Sequence, residues 1–192
     1  MLATPRLILA SGSPRRKELL RGLGITFDVV PADISEELKP GEAPLAYALR
    51  MAEEKALKVA EQFPNDYVLG ADTIVVAEGQ VLAKPRDPQD AARMLAVLSG
   101  RGHQVTTAVS LISPGGQTEI RSCTTAVYFR ALDKQEIQNY VASGEPLDKA
   151  GAYAIQGGAA PWVVRLEGDH SNVVGLPVPL VVEMLRRQGF KL

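Results

Sequence analysis

The fold is decided by Leu7-Ile-Leu-Ala-Ser-Gly-Ser-Pro-Arg-Arg16, which predicts a buried strand, a tight turn and the start of a helix. The apolar run stops at Ser11-Gly12-Ser13, and a helical pattern begins at Pro14. Ser13 is a favourable N-cap because its hydroxyl can accept a hydrogen bond from an unpaired backbone N–H. Pro14 suits the first helical position, where the missing N–H has no partner within the helix.

Arg15 and Arg16 are unusual residues for the first turn of this predicted helix. Cations beside the positive end of a helix dipole cost about 0.3 to 1 kcal/mol unless a negative group lies nearby. A helix N-terminus that follows a turn of small residues is also a place where phosphates bind. Two interpretations therefore stay open at this point, namely an anion site and a solvated first turn.

The composition restricts the classes of protein and of metal site. With 192 residues, of which 46% are hydrophobic and 22% charged, the chain fits one globular domain or two small lobes that share a core. A net charge of −1 provides no general attraction to nucleic acid or to an anionic membrane. One cysteine excludes an intramolecular disulfide, and two histidines do not make a credible zinc set. Any metal is therefore predicted to have oxygen ligands, which favours magnesium or manganese.

The sequence gives no sign of a membrane segment. Its beginning lacks the pattern of a secretory signal, and no apolar run reaches about 18 residues. We therefore expect no membrane partner and a reducing, cytoplasmic location.

The hydrophobic pattern predicts an α/β fold with a mixed sheet, with crossover helices in the first half and hairpin-joined strands in the second. Strands are predicted from Leu7 and over Thr26–Val30, Tyr67–Val76, Gln80–Lys84, Gly102–Ile112, Thr118–Phe129 and Trp162–Leu166. Helices are predicted from Pro14 to about Arg21, from Pro44, from Pro88 to near Gly100, from Asp133 to Gly144 and from Pro177 to Gly189.

Asp72 lies in the middle of the most apolar strand candidate. A carboxylate there needs a partner, because an isolated buried charge costs several kcal/mol or loses its charge through a pKa shift. Lys55 lies at the edge of the apolar stripe of the helix from Pro44, where its ammonium group could turn toward a site. Asp72 is therefore either a functional carboxylate or a paired structural one at a strand bend beside Gly70.

Several polar residues have no evident structural role and together indicate a bound polyphosphate with magnesium. They provide an anion-binding turn, cations and carboxylates, and they are Ser11, Ser13, Arg15, Arg16, Glu36 or Glu37, Lys55, Asp72 and Lys84. The P-loop motif and the dinucleotide-binding glycine motif are both absent, and so is the nucleophile elbow of serine hydrolases.

Five motifs in order resemble those of the Maf family of nucleoside triphosphate pyrophosphatases. They are Ala10-Ser-Gly-Ser-Pro-Arg-Arg16, Gly70-Ala-Asp-Thr73, Lys84-Pro85, Glu145-Pro-Leu-Asp-Lys-Ala-Gly-Ala-Tyr-Ala-Ile-Gln156 and Val173-Val-Gly-Leu-Pro177. The resemblance covers nearly the whole chain and implies a single Maf-like domain over residues 1–192. The implied fold is similar to the inosine triphosphate pyrophosphatase superfamily, with a curved mixed sheet, flanking helices and two lobes around a cleft.

The resemblance also implies an activity, namely hydrolysis of nucleoside triphosphates to the monophosphate and pyrophosphate with a divalent cation. The Asp148-Lys-Ala-Gly-Ala-Tyr153 and Gln156 pattern is similar to the branch that acts on dTTP and UTP. Asp72 falls on the family's proton-acceptor position, whereas Arg15, Thr73 and Gln156 fall on positions associated with base choice. A homodimer is implied as well.

The mechanism expected from these residues is attack of water on the α-phosphorus. Asp72, with Glu36 or Glu37, is predicted to hold Mg²⁺ or Mn²⁺. The sequence leaves open whether Asp72 is the base, a metal ligand or both; if it is both, a metal-bound water is the simplest arrangement. The phosphates are predicted to contact four cations, Arg15, Arg16, Lys55 and Lys84. Gln156 either pairs with the imide edge of uracil or thymine, through one donor and one acceptor, or satisfies backbone groups at a helix end.

Two other functions stay open. The same turn could hold a nucleotide or nucleic acid without turnover, in a binding protein linked to septum formation, as members of the family have been. A purine-directed inosine triphosphatase is the other alternative. Asp72 and Lys55 favour an enzyme, because simple phosphate binding does not call for a carboxylate facing the phosphates, and we expect no stable binding of nucleic acid.

Overall fold

Residues 4–192, which the computed structural model describes, form seven strands and six α-helices. The strands are β1 (Leu7–Leu9), β2 (Phe27–Val29), β3 (Tyr67–Ala77), β4 (Gln80–Leu82), β5 (Gly102–Ile112), β6 (Thr118–Phe129) and β7 (Val163–Glu167). The helices are α1 (Pro14–Arg21), α2 (Pro44–Ala60), α3 (Pro88–Leu98), α4 (Lys134–Ala142), α5 (His170–Val174) and α6 (Val178–Arg187). Short 3₁₀ helices cover Glu145–Asp148, Ala150–Ala152 and Ala160–Trp162.

The seven strands form one mixed sheet, as the sequence predicts. Its order is β2-β1-β3-β5-β6-β7, with β4 paired to β3 outside this path. β1 pairs in parallel with β2 and with β3, so α1 and α2 are the crossover helices. β4 and β7 pair antiparallel with β3 and β6. The turn between β3 and β4 has positive φ at both Glu78 and Gly79, the geometry that a two-residue hairpin favours.

The chain divides into two compact units, in agreement with the two predicted lobes. The first unit comprises the residues up to Asp72 together with Thr107–Cys123 and Gly175–Leu192. The second unit comprises Thr73–Thr106 and Thr124–Val174. The cleft and the single Maf-like domain stay predictions.

The core of the first unit explains why β1 is apolar at successive positions. Leu7 and Leu9 pack in one buried cluster with residues of α1 and α6, among them Leu20 and Leu185. Ile8 and the following Ala10 pack in a second cluster with Ala56 and Val59 of α2. Because successive side chains of a strand point to opposite faces, helices on both faces require apolar residues throughout.

The second unit has a core rich in aromatic rings. His103 contacts Phe129 and Tyr153 edge-on, with ring centroids 4.9 and 5.4 Å away, and its Nε2 lies 2.7 Å from the Tyr153 hydroxyl. In the part of the chain that the structure describes, His103 Nδ1 has no hydrogen-bond partner. Burial lowers the pKa of His103 to about 4, because the charged imidazolium loses its hydration there.

The observed elements differ from the predicted ones mainly at short segments. The region after Asp169 contains α5, which the sequence pattern did not indicate, and Asp169 initiates it by accepting hydrogen bonds from the Ser171 N–H and hydroxyl. A helix of five residues is too short for a hydrophobic period to show. β4 ends at Leu82, two residues before the predicted end, so Lys84 lies in the following loop. None of the helices in residues 4–192 has the length and apolar character needed to cross a bilayer.

Gly70 provides the first test of this packing. A Cβ at Gly70 would lie 2.4 Å from the Ala52 carbonyl oxygen and 2.8 Å from the Ala56 backbone nitrogen. We expect Gly70→Ala to lower the free energy of unfolding by about 3 kcal/mol, because α2 must move away from β3. Urea denaturation measures this loss. Gly12→Ala is the control, since its Cβ would meet only Pro31 atoms at 3.8 Å, and an equal loss in both variants would contradict the explanation.

The lowered pKa of His103 predicts that the stability of the fold depends on pH. Between pH 6.5 and about 4 the unfolded chain binds a proton at His103 that the folded chain does not bind, so stability is lost as pH falls. From pH 7 to pH 4.5 this contribution amounts to about 2.5 kcal/mol. Urea denaturation across this range should show a flatter profile for His103→Gln, whereas the exposed His170→Gln should keep the wild-type slope. Equal slopes in all three proteins would contradict the assignment.

Candidate active site

The turn before α1 is held by hydrogen bonds among its own side chains. Ser11 is buried, and its Oγ accepts hydrogen bonds from the Ser13 N–H at 3.3 Å and from Arg16 Nη1 at 3.2 Å. Ser13 is the N-cap of α1, as predicted, and its Oγ accepts from the Arg16 N–H at 3.5 Å. The two serines therefore fix the turn that places Arg15 and Arg16 at the positive end of the helix.

The two arginines of the first turn have different environments. Arg16 Nε donates to the Gly175 carbonyl at 2.7 Å, and burial lowers the pKa of its guanidinium, while the charges of Asp72 and Glu36 oppose that effect. Within residues 4–192, Arg15 is half-buried and has no hydrogen-bond or ion-pair partner. Arg16 is therefore held in place, whereas the donors of Arg15 stay available to a ligand.

The charged centre of the first unit consists of Lys55, Asp72 and Glu36. Lys55 Nζ lies 2.7 Å from Asp72 Oδ1 and 2.7 Å from Glu36 Oε1. Lys55 and Asp72 are 7% and 8% exposed, while the side chain of Glu36 keeps 43% of its surface in solvent. One ammonium group therefore bridges two carboxylates from different parts of the chain. Because both distances are 2.7 Å, Asp72 Oδ1 and Glu36 Oε1 lie no more than twice 2.7 Å apart.

Close packing of α2 on β3 brings this pair together. Gly70 and Asp72 are two residues apart on β3, so both face the same side of the sheet, where α2 lies. Gly70 lets the backbone of α2 approach at Ala52 and Ala56, next to Lys55. Lys55 thus contacts Asp72 from α2, and its role in binding stays a prediction.

The loop that carries Glu36 is held by two residues that sequence reasoning missed. The Tyr47 hydroxyl donates to the Glu36 carbonyl at 2.9 Å, and Arg50 Nη2 donates to the Glu37 carbonyl at 3.0 Å. Arg50 also donates to both carboxylate oxygens of Glu42, at 2.6 and 2.7 Å, which lowers the pKa of Glu42 to about 2. Tyr47 and Arg50 lie one turn apart on α2, a spacing that could have marked them as one functional face.

The environment distinguishes Glu36 from Glu37, and the charged centre also affects Tyr47. Across the described range 4–192, the Glu37 carboxylate has no hydrogen bond or ion pair, whereas Glu36 contacts Lys55. Burial and the charges of Asp72 and Glu36 raise the pKa of Tyr47 to about 12. Of the two predicted acids, Glu36 is the one that the fold brings to Asp72.

The remaining predicted site residues lie in the second unit. Thr73 follows Asp72 on β3, and Lys84 is exposed in the loop between β4 and α3. Gln156 is exposed in a turn rather than at a helix end, and its side chain makes no hydrogen bond to any residue in 4–192. Their roles in binding stay predictions.

The charged centre offers two carboxylates of the kind that hard divalent cations bind. Asp72 and Glu36 supply carboxylate oxygens, and the ammonium of Lys55 already occupies the space between them. No group of three or more His, Cys, Asp or Glu side chains that could hold a metal occurs in the described part of the chain. Magnesium is commonly bound by one or two carboxylates together with substrate phosphates and water, so two acids suffice for this class of site.

Residues 6–188 match the family of Maf-like proteins. The chain belongs to the Maf family. This Maf-family chain is 52% identical to the dTTP/UTP pyrophosphatase of Koribacter versatilis over 183 residues, which are 95% of this chain and 94% of the relative. It is also 52% identical to the dTTP/UTP pyrophosphatase of Anaeromyxobacter dehalogenans over 191 residues, 98% of this chain and 96% of the relative. The predicted family is therefore confirmed.

One solved structure resembles this Maf-family fold over nearly the full length. The Ham1 protein of Coxiella burnetii aligns with 96% of this chain and 100% of its own, at a TM-score of 0.52 and 17% sequence identity. At this identity the likeness concerns the fold alone. It agrees with the mixed α/β sheet that the sequence predicted.

Lys55 can be tested for its role as the counter-ion of Asp72. We expect Lys55→Met to lower the free energy of unfolding at pH 7.5 by about 3 kcal/mol, because the Asp72 carboxylate then stays buried without its cation. Asp72→Asn introduced together with Lys55→Met should recover part of this loss, because no unpaired carboxylate is then buried at this position. Urea denaturation of both variants measures the difference.

Lys58→Met is the matched control. It lies on the same helix, is half exposed and pairs with Glu61 at 3.8 Å, so its loss should stay below about 0.5 kcal/mol. An equal loss in Lys55→Met and in the double variant with Asp72→Asn would exclude the counter-ion role.

Proposed function

We propose that this protein hydrolyses dTTP and UTP to the nucleoside monophosphate and pyrophosphate, through attack of water on the α-phosphorus. Relatives named dTTP/UTP pyrophosphatase, about half identical over nearly the whole chain, support the reaction and the substrates. The observation in the structure that carries the proposal is the Lys55 ammonium between the Asp72 and Glu36 carboxylates. A site that binds phosphate without reaction has no use for two carboxylates at this place.

Asp72 is the proposed proton acceptor. The ammonium of Lys55 lies 2.7 Å from its carboxylate, and the backbone of β3 fixes its position. Because Asp72 is 8% exposed, bulk water has limited access to its carboxylate, which we propose takes the proton of the attacking water. Lys55 in turn can donate to a phosphate oxygen, because an ammonium group has three donors and two contact carboxylates.

The turn before α1 is the proposed binding site for phosphate. Arg15 brings a guanidinium that lacks partners within residues 4–192, at the helix end that favours negative charge. Ser11, Ser13 and Arg16 keep the turn in shape and add donors at its surface. We propose Lys84 as a further phosphate contact on the basis of the family motif alone.

Asp72 and Glu36 are the proposed ligands of a divalent cation, Mg²⁺ or Mn²⁺. When bound, such a cation supplies positive charge that offsets the negative charge developing on the leaving pyrophosphate. Lys55 then shares its two carboxylates with the cation, and Tyr47 and Arg50 hold the Glu36 backbone at the site. Glu37, whose carboxylate has no contact with another residue in the described range, is the weaker candidate.

Thr73, Gln156 and Arg15 are the proposed residues for base choice. The Gln156 amide offers one donor and one acceptor, which match the imide edge of uracil or thymine. The homodimer and the cytoplasmic location also remain proposals. Binding of a nucleotide without turnover, or preference for inosine triphosphate, would be seen directly in the experiment that follows.

The proposal is tested by pyrophosphate release from dTTP, UTP, dCTP, dATP and inosine triphosphate with Mg²⁺ or Mn²⁺. We expect dTTP and UTP to be the best substrates and EDTA to abolish turnover. Asp72→Asn should lower kcat about a thousandfold, because the proton acceptor is lost. Asp28→Asn, on the exposed edge strand β2, is the control and should keep wild-type kcat. Equal slow rates for wild type and Asp72→Asn would refute catalysis by Asp72.

The position of attack has a separate test. Turnover of dTTP in water enriched with oxygen-18 should place the label in the monophosphate, since water attacks the α-phosphorus. Mass spectrometry of both products detects the label, and label in pyrophosphate would show attack at the β-phosphorus instead.

A further inference from the structure

The turn that carries Gln156 is fastened at both ends by one pair of side chains. The Ala154 N–H donates to the Tyr140 hydroxyl oxygen at 3.1 Å. The Gly158 N–H donates to both carboxylate oxygens of Glu145, at 3.3 and 3.2 Å. The Tyr140 hydroxyl donates to Glu145 Oε1 at 3.1 Å, so the two fastening points are themselves joined. All these residues belong to the second unit.

The turn also lies unusually close to this pair. A Cβ at Gly157 would lie 1.7 Å from Glu145 Oε1, and a Cβ at Gly158 would lie 3.0 Å from Tyr140 Cε2. The Tyr140 ring is 7% exposed and packs edge-on against Trp162, with centroids 4.8 Å apart. The Tyr140 and Glu145 pair is therefore anchored in the aromatic core, and the two glycines allow the turn to contact it closely.

Gln156 lies between the two fastening points, but its own side chain is not held by hydrogen bonds to residues in the described range. Gln156 is exposed and makes no hydrogen bond to residues in the described range, although its neighbours Ala154 and Gly158 are both held. We propose that Tyr140 and Glu145 are positioning residues, which fix the turn so that the Gln156 amide is presented to the base of the substrate. This inference rests on the proposed function and on the assignment of Gln156 to base choice.

Fixing the turn has a physical consequence for binding. A surface glutamine on a mobile turn must lose backbone and side-chain freedom when it pairs with a base, and that loss reduces affinity. If the turn is already ordered, only the side chain has to be immobilised. The benefit therefore appears in KM for the nucleotide whose base Gln156 contacts, whereas the reacting phosphates and kcat are unaffected.

The test uses Tyr140→Phe, which keeps the ring on Trp162 and removes both hydrogen bonds of the hydroxyl. We expect KM for dTTP to rise about tenfold, kcat to stay within about twofold, and KM for dCTP to change little. Thermal melting establishes that each assay is run well below unfolding. A mere loss of folded protein would instead lower kcat for dTTP and dCTP equally and leave both KM values unchanged, and that result would overturn the inference.

Glu145 and Tyr128 provide matched comparisons. Glu145→Gln keeps an acceptor for the Gly158 N–H and should retain most of the preference for dTTP over dCTP, whereas Glu145→Ala should lose it. Tyr128→Phe removes a hydroxyl that donates to the exposed Glu167 at 3.3 Å in the same unit, and it should leave both KM values unchanged. A rise in KM for dTTP in Tyr128→Phe that equals the one in Tyr140→Phe would overturn the inference.

A double variant separates this inference from the function on which it rests. If Tyr140 acts through Gln156, then Tyr140→Phe should add nothing to the KM change of Gln156→Ala, and independent additive effects would overturn the inference. Absence of pyrophosphate release by wild type would refute the proposed function, and the inference with it. Normal turnover together with a loss of preference in Gln156→Ala but not in Tyr140→Phe would refute the inference alone.

Discussion

The first unit depends on the balance of charge around Lys55. Its ammonium lies 2.7 Å from two carboxylates, and buried charges of this kind are tolerated only when opposite charges compensate them. Asp72 and Glu36 carry two negative charges, and Arg16, whose pKa both carboxylates raise against the effect of burial, supplies a second positive charge near them. These four charges cancel. Arg15 is then a cation in excess at the positive end of α1, so the turn attracts an anion although the whole chain has a net charge of −1.

α2 organises this balance because it contacts two segments at once. Lys55 extends from it to Asp72 on β3, while Tyr47 and Arg50 bind the carbonyls of the loop at Glu36 and Glu37. The loop is mostly polar and irregular, and it offers little apolar surface with which to fix itself: Ile34 is half-buried and Leu38 is exposed. Hydrogen bonds from the packed helix α2 therefore hold the loop in position, which hydrophobic burial does not do here. The position of the Glu36 carboxylate is therefore set through its backbone, by side chains more than ten residues away.

Local features of the sequence were sufficient for most of the fold and for part of the site. The start of α1, the hairpin at Glu78-Gly79 and the capping box of α4 at Asp133 follow from residues a few positions apart, and all three are observed. The choice between Glu36 and Glu37 could not be made, because it depends on a Tyr47 hydroxyl that no local pattern connects to the loop. Tyr47 and Arg50 were missed because they act on backbone carbonyls: their spacing of one helical turn puts them on one face of α2 but does not indicate what that face contacts.

Each of the two units contains a turn that is held by hydrogen bonds from neighbouring polar side chains. In the first, Ser11, Ser13 and Arg16 use their donors and acceptors on the turn, and Arg15 stays without a partner in the described range. In the second, Tyr140 and Glu145 use their donors and acceptors on the backbone of the turn that carries Gln156. A side chain that already has good partners gains little from a ligand, because it must exchange one hydrogen bond for another. A side chain that only water contacts gains most when its backbone is already rigid. Within these two turns, ligand contact is therefore expected first at Arg15 and Gln156, which the fold holds by their neighbours and leaves unsatisfied themselves.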